Sequence, residues 1–304
     1  MGAHISDSAL DLLKRIPGFD VGAYLSTIDE LPERGIRINT LKIGVKEAEE
    51  RLEKIGWNLK NIPWCDYGFR ADEGSPGNTV EHSLGYYFIQ DAGSMSIPGL
   101  FSLNERSRVL DLCAAPGAKT THLSQIMRNS GAVVANDAGS ERIKALAMNV
   151  QRMGAINCMV SHTDGRNLPK WGKARFDCVL VDAPCSGLGQ VRKMGKPGKE
   201  RAGPEKYWPV QKNLITAGFD CLKAGGELIY STCTFTVEEN EAVVQHLLEN
   251  RNASIMKLGL KLKHCEGFVE GGGVEFSREM QKCARIYPWQ NGTDGFFVCK
   301  VKNG

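Results

Sequence analysis

Arg108-Val109-Leu110-Asp111-Leu112-Cys113-Ala114-Ala115-Pro116-Gly117-Ala118-Lys119-Thr120 runs from a short apolar strand, through a turn of small residues, into a helix. Small residues after a strand let the backbone approach a ligand closely, and the free N–H groups of the next helix point to the same place. The segments that follow repeat the pattern. Arg108 to Cys113 is a strand and Lys119 to Arg128 a helix; Ala132 to Asn136 is a strand and Ser140 to Met153 a helix; Cys158 to His162 is a strand. Phe176 to Val181 is, but for Asp177, a continuous apolar run, the kind expected of a parallel strand buried on both faces. Lys206 to Leu222 reads as helix, Glu227 to Ser231 as strand, Val237 to Asn250 as helix and Gly295 to Val301 as a closing strand. Alternation of this kind specifies an α/β fold with a doubly wound, Rossmann-like parallel sheet, whose ligands lie beyond the carboxyl ends of its strands.

Upstream the pattern differs. Residues 1–90 read as a small α+β unit, and residues 91–304 as the larger catalytic domain. Ser8 to Ile16 is a short amphipathic helix stopped by Pro17-Gly18, and Gly35 to Leu41 alternates like a strand. Val45 to Ile55 is a helix ended by Gly56, with strand-like pieces at Trp57 to Ile62 and Tyr67 to Ala71. A length of 304 residues suits one large domain with a smaller appendage. The net charge of +3 neither demands nor opposes a nucleic-acid partner; a local basic patch would decide more. None of the ten cysteines forms a C-x-x-C pair, so no metal is expected. The sequence shows no long apolar run and no secretory start, which predicts a cytoplasmic protein with reduced thiols and no membrane contact. A monomer is the expected state.

The turn at Cys113, Ala114, Ala115, Pro116, Gly117, Ala118 and Lys119 is neither G-x-G-x-x-G nor a Walker loop, which disfavours phosphate binding. Asp137 closes the second strand about 20 residues after the small-residue turn, where a carboxylate is placed to hydrogen-bond ribose hydroxyls. Asp164, after the third strand, is placed for an adenine amino group. One such Asp alone is better read as a turn or capping residue. An ordered set at successive strand ends points to a nucleoside-containing ligand.

Asp182-Ala183-Pro184-Cys185-Ser186-Gly187 ends the fourth strand and Ser231-Thr232-Cys233-Thr234 the fifth. Either cysteine alone is more simply a small core residue; two at adjacent strand ends beside a cofactor site suggest chemistry. A thiolate suits addition to a poorly reactive aromatic ring. Carbon 5 of cytosine is a weak nucleophile. Thiolate addition at carbon 6 makes it enamine-like, so that it attacks a sulfonium methyl. Loss of the carbon 5 proton and expulsion of the thiolate then give 5-methylcytosine. Asp182 is placed to stabilise the adduct at ring nitrogen 3 if it carries or shares a proton.

With RINTLK at Arg37, FIQDAGSM around Gln90, LDLCAAPGAKT, the Asp137, Arg142 and Asn149 spacing, DGR at Asp164, DAPCSG, YSTCT followed by EEN, and DGFFVCK, the chain resembles the RNA (cytosine-5)-methyltransferases of the Sun/Fmu type, in a short, archaeal-like form. The resemblance runs from about Gly35 to Lys302. It implies S-adenosylmethionine (SAM) as cofactor, Cys233 as nucleophile and Cys185 as the thiol that helps release product. It places Cys113 to Lys119, Asp137, Arg142, Asp164 and Asp182 around SAM. Ala118 stands where the family often has a second Gly. By resemblance the substrate is tRNA first and rRNA second.

Arg192 to Lys206 holds six basic and two acidic residues, broken by Gly and Pro, and reads either as a basic loop for RNA phosphates or as a plain solvated loop. The target base must be single-stranded or flipped out to meet a thiolate. By resemblance to the family, Arg37, Lys42 and Lys46 are further candidates for backbone contacts. Two other readings stay open. A DNA cytosine-5 methyltransferase would use the Pro-Cys cysteine as nucleophile, which the extra cysteine in STCT disfavours. A non-catalytic RNA-binding or ribosome-assembly factor would need no intact cysteine pair. A hydrolase is disfavoured because none of the six His lies in a nucleophile-elbow context.

Overall fold

Val109, Leu110, Val179, Leu180 and Val181 are wholly buried, and alternate residues feed two different cores. Leu110, Val179 and Val181 pack on one face, and Val109, Cys178 and Leu180 on the other. A strand covered on both faces cannot alternate with polar residues, which is why Val109–Leu110 and Cys178–Val181 are apolar on both faces. The computed structural model describes residues 5–29, 33–72, 75–191 and 203–304.

Two short helices, α1 (Asp7–Lys14) and α2 (Val21–Asp29), precede a four-stranded antiparallel sheet of β1 (Arg34–Ile38), β2 (Leu59–Ile62), β3 (Cys65–Ala71) and β4 (Tyr87–Ile89), in the order β2-β3-β1-β4. Helices α3 (Val45–Lys54) and α4 (Val80–Ser83) lie between its strands in sequence. Ile36, Ile38, Leu52, Trp57, Phe69 and Tyr87 form its own core.

Downstream, strands and helices alternate: β5 (Arg108–Asp111), α5 (Ala118–Ile126), β6 (Ala132–Asn136), α6 (Ser140–Met153), β7 (Cys158–Ser161), α7 (Pro169–Gly172), β8 (Phe176–Asp182), α8 (Trp208–Asp220), β9 (Leu222–Thr232) and α9 (Glu241–Asn250). Then come β10 (Ala253–Met256), β11 (Cys265–Glu266), a β12 (Glu270–Gly271) and β13 (Val274–Glu275) hairpin, β14 (Ala284–Ile286), α10 (Pro288–Asn291) and β15 (Phe296–Asn303). The main sheet has nine strands; its path is β11-β14-β15-β9-β8-β5-β6-β7, and β10 also pairs with β15. The stretch β9-β8-β5-β6-β7 is parallel, and β15 runs antiparallel to β9. From β5 the chain moves outward to β6 and β7, then returns to β8 on the other side of β5. The strand order therefore reverses between β5 and β8, and a crevice at their carboxyl ends is the expected ligand site.

The fold class matches the sequence reading. Element ends shift by a few residues: α9 starts at Glu241 rather than Val237, and α8 at Trp208 after a short 3-10 turn at Pro204–Lys206. Residues 192–202 of the basic stretch lie outside the described residues. Among the described residues, no helix is long and apolar enough to cross a membrane, and no group of three or more His, Cys, Asp or Glu could hold a metal ion.

Candidate functional site: a thiol pair beside an acidic crevice

The turn after β5 is held open from several sides. Gly117, the N-cap of α5, has φ +103°, and a Cβ there would sit 3.1 Å from Leu146 Cδ1. Glycine alone meets both the left-handed backbone and the close approach of α6. Ala115 N–H donates to Asp137 Oδ2 (3.1 Å), Asn149 Nδ2 donates to the Pro116 carbonyl (2.9 Å), and Ala114 N–H donates to the Asn136 carbonyl (2.8 Å). Asn136, wholly buried, also donates to the carbonyls of Leu112 and Thr163, tying three strand ends together. Sequence reasoning passed over it; its place directly before Asp137 was the available signal.

Asp137 faces this turn, but its carboxylate is already engaged. Oδ1 accepts from Gly139 N–H (2.8 Å) and Arg142 Nε (3.2 Å), and the other Arg142 nitrogen pairs with Oδ2. Asp164 caps the turn that follows β7 and accepts from the backbone N–H and guanidinium of Arg166, whose hydrogen bond holds its carboxyl below the ordinary range. The geometry of Asp164 is that of a capping residue in a surface ion pair.

The floor of the crevice carries a group that the sequence reading did not single out. Asp111, 1% exposed, accepts from Thr120 Oγ1 through Oδ2 (2.7 Å), and its Oδ1 has no hydrogen-bond partner. Burial pushes its carboxyl up to about 7, and the nearby charges of Asp182 and Asp137 add to the rise. Burial raises the neighbouring Cys113 thiol too, with Asp111, Asp137 and Asp182 all contributing. Three carboxylates around one turn, one with an unpartnered buried oxygen, suit a positively charged ligand.

Lys119 lies at the first turn of α5, and its Nζ donates to Asp182 Oδ2 (2.7 Å). Asp182 Oδ1 accepts from Ser231 Oγ (2.7 Å). Burial pulls the Lys119 ammonium down, but Asp182, Cys233 and Asp111 more than offset it and leave it above the ordinary lysine value. The same ammonium lies 5.8 Å from the Phe296 ring centroid. The sequence reading placed Lys119 only in the cofactor turn; the structure joins it to the thiol side of the site.

The two cysteines predicted from DAPCSG and STCT meet. Cys185 Sγ lies 3.2 Å from Cys233 Sγ, far beyond a disulfide bond length, and both are free thiols. The contact with Cys233 and burial push the Cys185 thiol well above its ordinary value, with the charge of Glu239 adding to the rise. Ala183 N–H donates to the Ser231 carbonyl (2.9 Å), and Gly189 N–H donates to the Cys233 carbonyl (2.9 Å). A Cβ on Gly189 would come 2.4 Å from the Gly295 carbonyl oxygen, so this crossing of two loops requires glycine. The Tyr24 hydroxyl of α2 donates to the Leu188 carbonyl, and Ala9, Leu13 and Tyr24 share a core with Leu188, Val191 and Phe235. The first helices thus brace the Cys185 loop.

One expectation is corrected. Arg37 is wholly buried and cannot reach RNA. It donates to the Ala118 carbonyl (2.7 Å), Thr121 Oγ1 (2.8 Å) and Gln90 Oε1 (3.0 Å), and so bolts β1 to the first turn of α5. Burial lowers its guanidinium to about 9. Lys42 donates to the carbonyls of Leu84 and Arg152, while Lys46 is exposed.

Comparison with known proteins gives the chain its family. Residues 99–302 match the family described as 16S rRNA methyltransferase RsmB/F, and residues 7–92 match the N-terminal domain of 16S rRNA methyltransferase RsmF. The chain is 37% identical to a ribosomal RNA small subunit methyltransferase F of Vibrio parahaemolyticus, over 98% of this chain and 63% of the relative. It is 43% identical to one of Aeromonas hydrophila, over 88% of this chain and 57% of the relative. The chain thus spans about three fifths of the length of these relatives. A crystal structure of a methyltransferase homolog from Pyrococcus horikoshii superposes with a TM-score of 0.83 at 32% identity, covering 99% of this chain and 100% of that one. NSun6 of the same organism, solved with SFG, shares the fold at 22% identity with a TM-score of 0.85, covering 99% of each chain.

Proposed function

The chain belongs to the RsmB/F family of 16S rRNA methyltransferases, and from that premise we propose that it methylates carbon 5 of a cytosine in small-subunit ribosomal RNA, using SAM. The observation that carries this reading is the thiol pair at 3.2 Å beside the Lys119–Asp182 ion pair. The names of the relatives put rRNA ahead of tRNA as substrate, and work on rRNA implies a cytoplasmic enzyme.

In this reading SAM is held by the turn from Cys113 to Lys119, by Asp111, and by Asp137 and Asp164 once Arg142 and Arg166 yield their carboxylates. The unpartnered oxygen of Asp111 suits its positive charge. SAM, when bound, supplies the methyl group that carbon 5 takes. The remaining work falls to the chain's own residues. Cys233 adds as thiolate to carbon 6: the carbon–sulfur bond forms as the 5,6 double bond opens, its electrons shift to a 4,5 double bond, and ring nitrogen 3 takes up a proton, which leaves carbon 5 enamine-like. Lys119 puts a positive charge on the thiol side of the site, held there by Asp182. Asp182, held by Lys119 and Ser231, would meet the base edge and share the proton that ring nitrogen 3 takes up. Once carbon 5 is methylated, its proton leaves to a base, the 5,6 double bond re-forms, and the carbon 6–sulfur bond breaks to return the Cys233 thiolate. Cys185, the immediate neighbour of that sulfur, assists this release. The residues of 1–90 form an accessory unit that braces the catalytic one and contributes RNA contacts.

The test is to incubate the protein with methyl-labelled SAM and either small ribosomal subunits, naked 16S rRNA or tRNA, then digest the RNA. Label in 5-methylcytidine from rRNA supports the reading. Label confined to tRNA would move the substrate, and label in another nucleoside would remove the mechanism.

A further inference from the structure

Glu239 and Asn240 are adjacent, wholly buried, and each grips the residues flanking a different cysteine. Glu239 Oε2 accepts from Ser186 N–H (2.9 Å) and Oε1 from Ser186 Oγ (2.5 Å), directly after Cys185. Gln211 of α8 is shared: its Nε2 donates to Glu239 Oε2 (2.9 Å) and to the Pro184 carbonyl (2.8 Å), directly before Cys185. Thr236 Oγ1 completes the set on Oε1 (3.0 Å). Asn240 does the same for Cys233. Its Oδ1 accepts from Thr232 Oγ1 (2.6 Å) and its Nδ2 donates to the Thr234 carbonyl (3.1 Å). One further bond, Ser186 Oγ to Thr234 Oγ1 (2.7 Å), crosses between the loops, and Tyr230 OH anchors the Glu239 carbonyl (2.6 Å).

A buried carboxylate with no counter-cation among these partners is costly, and burial raises its protonation point. A tight turn alone would not need one. A carboxylate offers two oxygens that can each take two donors at fixed angles, which suits it to hold a loop still. The side chains of Cys185 and Cys233 have each other as hydrogen-bonding partner, so their separation is set by the backbone on either side.

We propose that Glu239 and Asn240 are positioning residues that each act chiefly on one thiol: Glu239, with Gln211, places Cys185 for release of the RNA adduct, and Asn240 places Cys233 for its formation. The proposal rests on the roles given above to Cys233 and Cys185. It predicts that two neighbouring residues fail at opposite ends of one reaction.

The experiment follows the RNA–protein adduct on denaturing gels during single turnovers of the full-length protein, with Glu239→Gln, Asn240→Asp and Cys185→Ala compared. Loss of a buried hydrogen bond to a charged group corresponds to about tenfold or more in rate. Glu239→Gln is expected to form adduct at the wild-type rate and resolve it about tenfold more slowly or worse, with the KM for RNA unchanged. Asn240→Asp is expected to slow adduct formation by a similar factor and accumulate none. A second readout needs no RNA. Diamide takes two electrons and two protons from a thiol pair, giving a disulfide and a hydrazine, and its rate of closing Cys185 to Cys233 gauges their separation; both variants are expected to close more slowly. Thr236→Val and Thr232→Val each remove one hydroxyl from the same clasps. They are expected to show the same step-specific defects in weaker form, should either first variant fail to fold. If Cys185→Ala traps adduct but Glu239→Gln resolves it normally, or if both variants slow the same step, the positioning proposal is overturned. If Cys185→Ala itself traps nothing, the fault lies in the assigned cysteine roles, while normal diamide closure in both variants would overturn the positioning proposal separately.

Discussion

The ammonium of Lys119 lies 2.7 Å from the carboxylate of Asp182, joining the first turn of α5 to the end of β8 across the point where strand order reverses. The side chain of Lys119 is 10% exposed and that of Asp182 33%. Breaking such a pair from one side leaves a charge with poor solvation, a cost of about 3–5 kcal/mol when fully buried and less here because Asp182 reaches solvent. Lys119→Met is expected to lower the melting temperature modestly and to cut kcat about a hundredfold, since the cation facing Cys233 is lost as well. Melting curves and single-turnover methylation separate the two effects. Unchanged kcat in a folded variant would remove Lys119 from the chemistry.

SAM binding is expected to depend on pH through Asp111. Its carboxyl, raised to about 7 by burial, is partly protonated in the free protein at neutral pH. A cation bound beside it favours the ionised form, so SAM affinity should rise as pH passes upward through about 7 and then level off. Asp111→Asn should flatten this dependence and weaken SAM at pH 8, as read by calorimetry. Stability runs the other way. The folded state holds the proton more tightly than the unfolded chain does, so Asp111 costs stability progressively as pH rises from the unfolded carboxyl range to about 7. Asp111→Asn should therefore raise the melting temperature above pH 7, by roughly 2–6 °C.

Arg37 couples the N-terminal sheet to the cofactor turn. Arg37→Lys keeps a charge but loses the fork that reaches the Ala118 carbonyl and Thr121 together. It should cost about 2–3 kcal/mol of stability and weaken SAM binding several-fold, without contact between Arg37 and the ligand. Melting and calorimetry check both. Lost stability with unchanged SAM affinity would confine Arg37 to the fold.

Much of this arrangement was legible before any coordinates. The largely apolar run at Phe176 to Val181 read as a parallel strand buried on two faces and put Cys185 just past its end, and the strand read at Glu227 to Ser231 put Cys233 at its own end. That Cys185 and Cys233 meet followed from β8 and β9 being neighbours. The antiparallel additions were not legible in full. Strands such as β11 and β14 have two and three residues, too short for any period to show. Arg37 was misread as an RNA contact because an alternating strand does not reveal what its inward face will meet, here the first turn of α5. Glu239 and Asn240 were quoted only as part of a motif. Their role depends on loops brought together from residues 184–186 and 232–236, and no local pattern carries it.

The central claim is that Cys233 is the nucleophile and Cys185 the releasing thiol, and the most direct measurement of it is covalent trapping. The protein is mixed with SAM and its RNA substrate, then run on a denaturing gel as Cys185→Ala, Cys233→Ser and the double variant. The account predicts a persistent RNA–protein band for Cys185→Ala that the added Cys233→Ser change abolishes, with SAM binding intact in all three. A covalent band in Cys233→Ser, or normal turnover by that variant, would contradict it.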